Sequence, residues 1–551
     1  MDLLLTGAVV IDGTGSPGRP ADVAVTGDRI TAVAEPGTLT PAADTEVVDL
    51  TGLTLAPGFI DIHTHYDAQI LWDGDLTPSS WHGVTSVVMG NCGFGMAPTK
   101  PEHRDLIVRL LENVEGMSMD ALNAGIDWCF ETFPQYLDAI DKRAKRLNVG
   151  AFLGHSPLRL FVTGGEERAA TEDELARMRE LVREALDAGA IGFSTSKQPA
   201  HQGAYGRPVP SRFAELDEVY AVAEVMNEAG KGVLQVSIGP GLFVDQFSEL
   251  AVRFDIPVTW TALVARADKP GAALRTVERG AALPGEVYPQ IACRPIVMQI
   301  TLADPATLGE IDEWKEVLAT PRDQRAALLA DPAWRDRARP TTLEAWNRTN
   351  RWAKMDVEET TTHHDAVGIP LATLAEQRGT NPFDLMLDLA LSDGDDLTNT
   401  RFRVVLENDG DDEIGELLAD ERTLLGLSDA GAHASQLCDA CFSTHLLGHW
   451  VRERKAIPLE QAVWRLTGHP HQAFRIPERG LVQEGFFADL VAFDPDTVGT
   501  TPVERAYDFP GGADRLIVRS TGVEHVWVNG TQTRRDGEEV AGVAPGVLLR
   551  A

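Results

Sequence analysis

The stretch GFIDIHTHYD, residues 58–67, is the starting point for interpreting this chain. An apolar run follows Pro57-Gly58 and ends at His63 and His65. Because they are two residues apart on a strand, the two imidazoles lie on the same face. Chance produces such a pair in roughly a third of chains with 14 histidines. Its place at the end of a buried strand nevertheless predicts a metal-ligand pair, the alternative being a purely hydrogen-bonded pair.

Composition indicates a soluble chain and excludes several partners. Of its 551 residues, 43% are hydrophobic and 24% are charged, and the net charge is −34. This charge repels phosphates and anionic lipids, so we expect neither nucleic acid nor membrane as a partner. The five cysteines are too sparse for a disulfide framework, and the first residues lack the pattern of a secretion signal. We therefore expect a cytoplasmic protein.

The chain divides into a central α/β region between two β-rich ends. Residues 1–55 and 476–551 show short alternating strands and turns, which predict one β-sandwich built from both termini. Residues 56–475 alternate apolar strands with helices, as in a TIM-like (β/α)8 barrel. Residues 301–400 interrupt that alternation and are rich in charge and tryptophan. We expect a helical insertion there, over the mouth of the barrel.

Chemically active side chains collect at the ends of the predicted strands, which a barrel brings together at one face. Asp429 closes the last apolar run before a glycine turn. There it can bind a metal and act as a general base, the alternative being a helix N-cap. The strand-end candidates, in chain order, are His63, His65, Cys92, His155, Lys197 and Asp429.

Several motifs resemble the D-aminoacylase (N-acyl-D-amino-acid deacylase) family of the amidohydrolase superfamily. LAPGFIDIHTHYD (55–67) resembles its strand-1 metal motif, and GVTSVVMGNCGFGMAP (83–98) its strand-2 motif, in which the cysteine binds metal. LGHSPLR (153–159) and LSDAGAH (427–433) resemble its strand-3 and catalytic strand-8 motifs. The resemblance implies a metal-dependent hydrolase of a non-peptide C–N bond, with Asp429 as general base.

The family also has metal-binding histidines at the ends of strands 5 and 6. Here those strands read GVLQVSIGPG (232–241) and IPVTWTALVA (256–265), without histidine. We therefore expect a reduced shell of His63, His65, Asp429 and Cys92 around one divalent ion, zinc being favoured, rather than two. Lys197 would join this shell if carboxylated, as in other amidohydrolases, or would bind a substrate carboxylate.

The substrate expected from the resemblance is a small N-acyl-D-amino acid or a similar amide. His155, Arg159 and Tyr288 are the candidate substrate-binding residues, Arg159 for a carboxylate. A cyclic amide hydrolase, other chemistry on the same fold, and a catalytically dead barrel acting as a binding module remain alternatives. Metal content separates the last of these from an enzyme, and a homo-oligomer is left open.

Overall fold

Eight parallel strands form one sheet in the order β8-β7-β6-β5-β4-β3-β2-β1. The computed structural model describes residues 1–394 and 396–551, apart from the side chains of residues 114, 115 and 306. The strands are β1 (Phe59–Asp61), β2 (Val84–Met89), β3 (Asn148–Gly154), β4 (Gly192–Ser196), β5 (Val233–Ser237), β6 (Val258–Thr261), β7 (Val287–Ile291) and β8 (Leu424–Leu425).

The two edges of this sheet meet just beyond β1 and β8. Thr64 pairs in parallel with Ala430, and the His65 N–H donates to the Ala430 carbonyl at 2.7 Å. Every residue of β2 and β3 is buried, which is typical of parallel strands covered on both faces. The predicted TIM-like (β/α)8 fold is confirmed.

Helices accompany the barrel strands, and sequence signals explain where they begin. Thr171 and Glu174 form the predicted capping box, since the Thr171 Oγ1 accepts from the Glu174 N–H at 3.3 Å. Among the described residues, no helix has the length and apolar character that crossing a bilayer requires. The α-helices are Arg104–Glu115, Met119–Gly125, Phe133–Asp141, His155–Thr163, Glu172–Asp187, Leu216–Ala229, Val244–Phe254, Ala272–Ala281, Asp411–Ala419, Phe442–His445, Leu459–Leu466 and Gly468–Phe474, and Leu446–Glu453 is a π-helix.

Strands from both ends of the chain share one seven-stranded sheet. Thr54–Pro57 pairs antiparallel with Leu490–Phe493, with Pro57 opposite Leu490. The other strands of that sheet are Val9–Val10, Arg19–Pro20, Val523–Val528, Thr531–Arg535 and Glu538–Glu539. A four-stranded sheet contains Leu3–Thr6, Asp22–Thr26, Arg29–Ala34 and Glu46–Asp49, and two short pairs join Gly499–Thr500 to Ser520–Thr521 and Glu504–Ala506 to Arg515–Ile517.

Residues 265–270 and 295–411 form a second compact unit. Its core contains Trp314, Trp334 and Trp346, all buried, which accounts for the tryptophan-rich composition noted in the sequence. The unit is not only helical, because Ile296–Ile300, Arg401–Glu407 and Met355–Glu359 form a three-stranded sheet. Its helices are Asp312–Ala319, Arg322–Ala330, Pro332–Arg348, Leu371–Gln377 and Pro382–Ser392. The expected position of this insertion over the barrel mouth stays a prediction.

An apolar cluster fills the amino-terminal half of the barrel. Val233, the first residue of β5, and Leu424, the first of β8, belong to it, together with Phe474 from the helix Gly468–Phe474. The polar strand-end side chains lie at the other end. The carboxyl ends of the strands are therefore the place for a functional site.

Candidate metal centre

The side chains of His63, His65 and Cys92 converge beyond the ends of β1 and β2. One ligand atom from each lies within 4.8 Å of the others. The His63 Nε2 and the Cys92 Sγ are 3.4 Å apart. Ligands bound about 2.0–2.3 Å from a tetrahedral ion lie about 3.3–3.8 Å from one another. The His63–Cys92 pair therefore has the spacing of metal ligands, and His65 offers a third ligand atom beside it.

Asp429 reaches the same cluster from the loop after β8. Its Oδ1 lies 3.2 Å from the His63 Nε2 and 3.7 Å from the His65 Nε2. Burial opposes the charge of this carboxyl, but hydrogen bonds from His63 and His65 outweigh it and hold its pKa well below the usual range. The side chain keeps 35% of its surface exposed, so an ionised carboxylate borders both the ligands and open space.

The charges around His63 favour a cation at the centre of the cluster. Burial raises the pKa of the Cys92 thiol, but His63 and His65 outweigh it and lower the pKa to about 7. Burial alone lowers the pKa of His63, whereas Cys92 and Asp429 raise it above its ordinary value. Cys92 and Asp429, which both contact the His63 Nε2, therefore favour positive charge there, whether a proton or a divalent ion.

A strained turn holds Cys92 in position. Gly90 and Cys92 both have positive φ, 80° and 58°. For a residue with a Cβ this conformation costs roughly 1–2 kcal/mol, and such strain is typical of functional sites. Asn91 fixes the turn, because its Nδ2 donates to the Val88 carbonyl at 3.0 Å. The Cys92 N–H donates to the Gln235 Oε1 of β5 at 2.7 Å.

Gln290 of β7 orients His63, although it was not among the residues predicted from the sequence. Its Oε1 lies 2.6 Å from the His63 Nδ1, and its Nε2 donates to the Thr259 Oγ1 at 3.0 Å. Because that arrangement makes the Oε1 the acceptor, the proton of neutral His63 lies on Nδ1. The Nε2 lone pair then faces the cluster, as a metal ligand requires. The only signal in the sequence was a polar residue on the inward face of an apolar strand.

Two predicted site residues, His155 and Arg159, belong to a buried network. The His155 ring lies 2.8 Å from the Thr195 Oγ1 and 2.7 Å from the Glu218 Oε1. Arg159 forms an ion pair with the other oxygen of Glu218. Within the described residues these contacts join the helix His155–Thr163 and β4 to the helix Leu216–Ala229, and they do not bring either side chain to the His63–Cys92 pair.

Lys197 and Tyr288 also have other partners. The Lys197 Nζ donates to the carbonyls of Arg212, at 2.9 Å, and Ala214. Burial lowers its pKa. Tyr288 is the second residue of β7, packs against the apolar cluster at the amino-terminal end, and meets the ring of His469 edge to face at 6.2 Å. The structure thus brings together His63, His65, Cys92 and Asp429, but not these two.

His201, in the loop after β4, is a further neighbour of the cluster and was not among the residues predicted from the sequence. Its ring centroid lies 5.0 Å from that of Phe94, which lies 6.2 Å from that of His65. Burial, and then the charge of His65, lower the pKa of His201 to about 3. This neutral ring and Phe94 therefore form an aromatic wall beside His65.

A (β/α)8 barrel with imidazole, thiol and carboxylate groups gathered at the ends of strands 1, 2 and 8 defines a metal-dependent hydrolase. Residues 46–534 match the model of the amidohydrolase family, and the chain belongs to that family. The prediction of a metal-dependent amidohydrolase is confirmed, with a divalent metal as its cofactor.

Relatives of known activity match the full length of the chain. A D-aminoacylase of Alcaligenes xylosoxydans xylosoxydans is 31% identical over 100% of this chain and 98% of its own length. A solved D-aminoacylase, described by its binuclear metal center with one-metal activation and second-metal attenuation, is 27% identical, with full coverage of both chains and a TM-score of 0.68. N-acyl-D-glutamate deacylase from Bordetella bronchiseptica, crystallised with zinc and a phosphonate inhibitor, is 26% identical, with the same coverage and TM-score.

Proposed function

We propose that this chain is a deacylase that hydrolyses N-acyl-D-amino acids. The observation that carries the proposal is the convergence of His63, His65, Cys92 and Asp429 at one end of the barrel. Full-length similarity to D-aminoacylase and to N-acyl-D-glutamate deacylase supports the substrate class. A dead barrel acting as a binding module has no need for a carboxylate held ionised beside three ligand groups.

We propose a single zinc ion as the cofactor. His63, His65 and Cys92 are the residues that would hold it, since imidazole and thiolate suit zinc. Gln235 of β5 and Gln290 of β7 offer only neutral amides, which are poor ligands for such an ion. When bound, the ion supplies Lewis acidity and lowers the pKa of water.

Asp429 is the proposed general base. Its Oδ1 lies 3.2 Å from the His63 Nε2 and 3.7 Å from the His65 Nε2, beside the atoms that would hold the ion, while part of its surface stays open. The carboxylate takes a proton from the attacking water and passes it to the leaving amide nitrogen. That transfer returns Asp429 to its ionised form, ready for the next turnover.

Arg294 is the proposed partner for the substrate carboxylate. It follows β7 by three residues and pairs with Asp439 at 2.7 Å, while 21% of its side chain remains exposed. Asp429 and Asp439 line the same pocket, so the pair lies near the proposed general base. A guanidinium fork can hold a second carboxylate beside the first. Of the cations expected from the sequence, Arg159 is fully buried in its pair with Glu218, and Lys197 donates to the carbonyls of Arg212 and Ala214.

Elemental analysis of the purified protein, followed by a screen of N-acetyl-D-amino acids with their L enantiomers as controls, tests the proposal. We expect about one zinc per chain and release of free amino acid from D substrates only. Metal-free protein without turnover after zinc addition would contradict it and favour the binding module. Turnover restricted to cyclic amides would instead favour a cyclic amide hydrolase.

We also propose the cytoplasm as its compartment and a small amide, rather than nucleic acid, as its partner. All five cysteines are free thiols, the state that reducing compartments maintain. A net charge of −34 repels phosphate backbones. Fractionation of cells that produce the protein tests the first statement.

A further inference from the structure

Strand β5 presents two buried polar side chains to the barrel interior. Alternation places Val233, Gln235 and Ser237 on one face. Val233 belongs to the apolar cluster inside the barrel, so the whole face points inward. Gln235 and Ser237 are 0% and 3% exposed. They therefore lie at the carboxyl-terminal half of the barrel interior, where the metal ligands also lie.

The orientation of the Gln235 amide follows from its partner. The Cys92 N–H can only donate, so the atom 2.7 Å from it must be the Oε1. The Gln235 Nε2 therefore points away from the Cys92 N–H and has two hydrogens to donate. Among the described residues, neither this Nε2 nor the Ser237 Oγ has a hydrogen-bond partner. Buried donors without partners are costly, so two of them on one face indicate a ligand that accepts from both.

Cys92 connects these donors to the metal centre. Its N–H contacts Gln235, and its Sγ lies 3.4 Å from the His63 Nε2. Ser237 lies two residues further along β5, roughly 7 Å toward the carboxyl end. In a closed eight-stranded barrel, β5 is opposite β1. The donors therefore face the ligands from the other side of the space in which a substrate would bind.

The geometry points to the Gln235 Nε2 and the Ser237 Oγ as hydrogen-bond donors to the substrate carbonyl oxygen. This inference rests on the proposed deacylase function and adds residues to it. The oxygen of water bonds to the carbonyl carbon, its proton moves to Asp429, and the carbonyl π electrons move onto the carbonyl oxygen. The two donors stabilise that negative charge.

The second half of the reaction releases the charge again. The C=O bond re-forms, the C–N bond breaks, and the proton on Asp429 moves to the leaving nitrogen, giving a carboxylic acid and an amine. The resemblance places a family ligand histidine at the end of strand 5, and this chain has none there. In this chain, neutral donors on β5 thus act on the substrate oxygen from the side where the family has a metal ligand.

Three variants test the inference. Ser237→Ala removes one donor, and Gln235→Glu keeps an acceptor for the Cys92 N–H but loses both amide hydrogens. Ser80→Ala is the matched control, because the buried Ser80 Oγ also lacks a partner among the described residues. For each variant we would measure kcat, KM, zinc content, thermal unfolding and inhibition by a phosphonate analogue of the best N-acetyl-D-amino acid.

Loss of one oxyanion donor lowers kcat by about 100-fold or more. We expect that loss in Ser237→Ala, with KM, zinc and folding nearly unchanged and phosphonate inhibition weakened in proportion. Gln235→Glu should lose at least as much activity, and its buried carboxylate should also lower the unfolding temperature. Ser80→Ala should match the wild type. Unchanged kcat in Ser237→Ala, or a loss restored by added zinc, overturns the inference while the deacylase function stands. A wild-type protein inactive on every N-acyl-D-amino acid overturns both.

Discussion

The two sides of the barrel interior differ in charge more than in polarity. On the side of β1, β2 and β8, ionisable groups surround one point: His63, His65, Cys92 and Asp429. On the side of β5, β6 and β7, the inward polar groups are neutral: Gln235, Ser237, Thr259, Thr261 and Gln290. One side can bind a cation, and the other can only orient the ligands or donate to a substrate.

The two sides can therefore have separate tasks. The charged side can bind the metal, and the neutral side can orient the ligands and the substrate. Amide and hydroxyl groups bind zinc-type ions poorly, but they form directed hydrogen bonds in a buried interior. Gln290 fixes the ring of His63, and Gln235 fixes the backbone at Cys92. The neutral side therefore determines how precisely the charged side is arranged.

The largest effect should come from removing a ligand on the charged side. His63→Ala should lose zinc and reduce kcat/KM by more than the roughly 100-fold that follows loss of an outer-shell partner. Gln235→Ala should retain its zinc, although it slows turnover. Zinc content after dialysis measures the contrast. If Gln235→Ala loses the metal while His63→Ala keeps both metal and activity, the two sides have been assigned the wrong way round.

Asp429→Asn should have the next largest effect. The amide keeps the shape of the side chain but cannot take the water proton, so kcat should fall by about 10²–10⁴-fold. Metal should remain, because His63, His65 and Cys92 are untouched. Activity near the wild-type level in Asp429→Asn would remove the general base from the mechanism. A Glu453→Gln variant, changed at an exposed carboxylate, serves as the control.

The convergence of the four charged-side residues could be predicted from the sequence because each lies within a few residues of the end of an apolar strand. His63, His65, Cys92 and Asp429 need only the strand ends to be found and the barrel to close. His155 also follows an apolar strand, but the sequence does not show which way its ring points. The residue opens the helix His155–Thr163, and its ring turns to Thr195 and Glu218.

The neutral side could not be predicted in the same way. A glutamine within an apolar strand has no distinctive spacing, so Gln290 becomes visible only when its Oε1 is found 2.6 Å from His63. Tyr288 lies only two residues before Gln290, yet Tyr288 is at the apolar end of the barrel and Gln290 at the polar end. Which of the two reaches the site therefore depends on where β7 begins. Of the three strands of the second unit, only Met355–Glu359 lies within residues 301–400, where the charge-rich sequence favoured helices.

A smaller effect is expected when His63 loses its orienting partner. Gln290→Met removes the acceptor for the Nδ1 proton and fills similar volume. Zinc affinity should fall by about 10–100-fold, measured by competition with a chelator, while kcat at saturating zinc changes less. A Gln532→Met variant, in the strand Thr531–Arg535, is the control. Unchanged affinity in Gln290→Met would mean that the ring of His63 is held by packing alone.

The smallest effect should come one step further along the same chain of hydrogen bonds. Thr259→Val keeps the shape of the residue but removes the Oγ1 that accepts from the Gln290 Nε2 at 3.0 Å. A buried donor left without its partner costs about 1–3 kcal/mol of unfolding free energy. Zinc affinity should fall by less than about tenfold, the low end of outer-shell effects, because the Gln290 Oε1 stays on His63.

Thr195→Val is the matched control, since its Oγ1 contacts His155 at 2.8 Å. It should lose similar stability in denaturant titrations and leave zinc affinity unchanged. Equal zinc affinities in the two variants would show that the neutral side orients His63 through Gln290 alone, without help from β6.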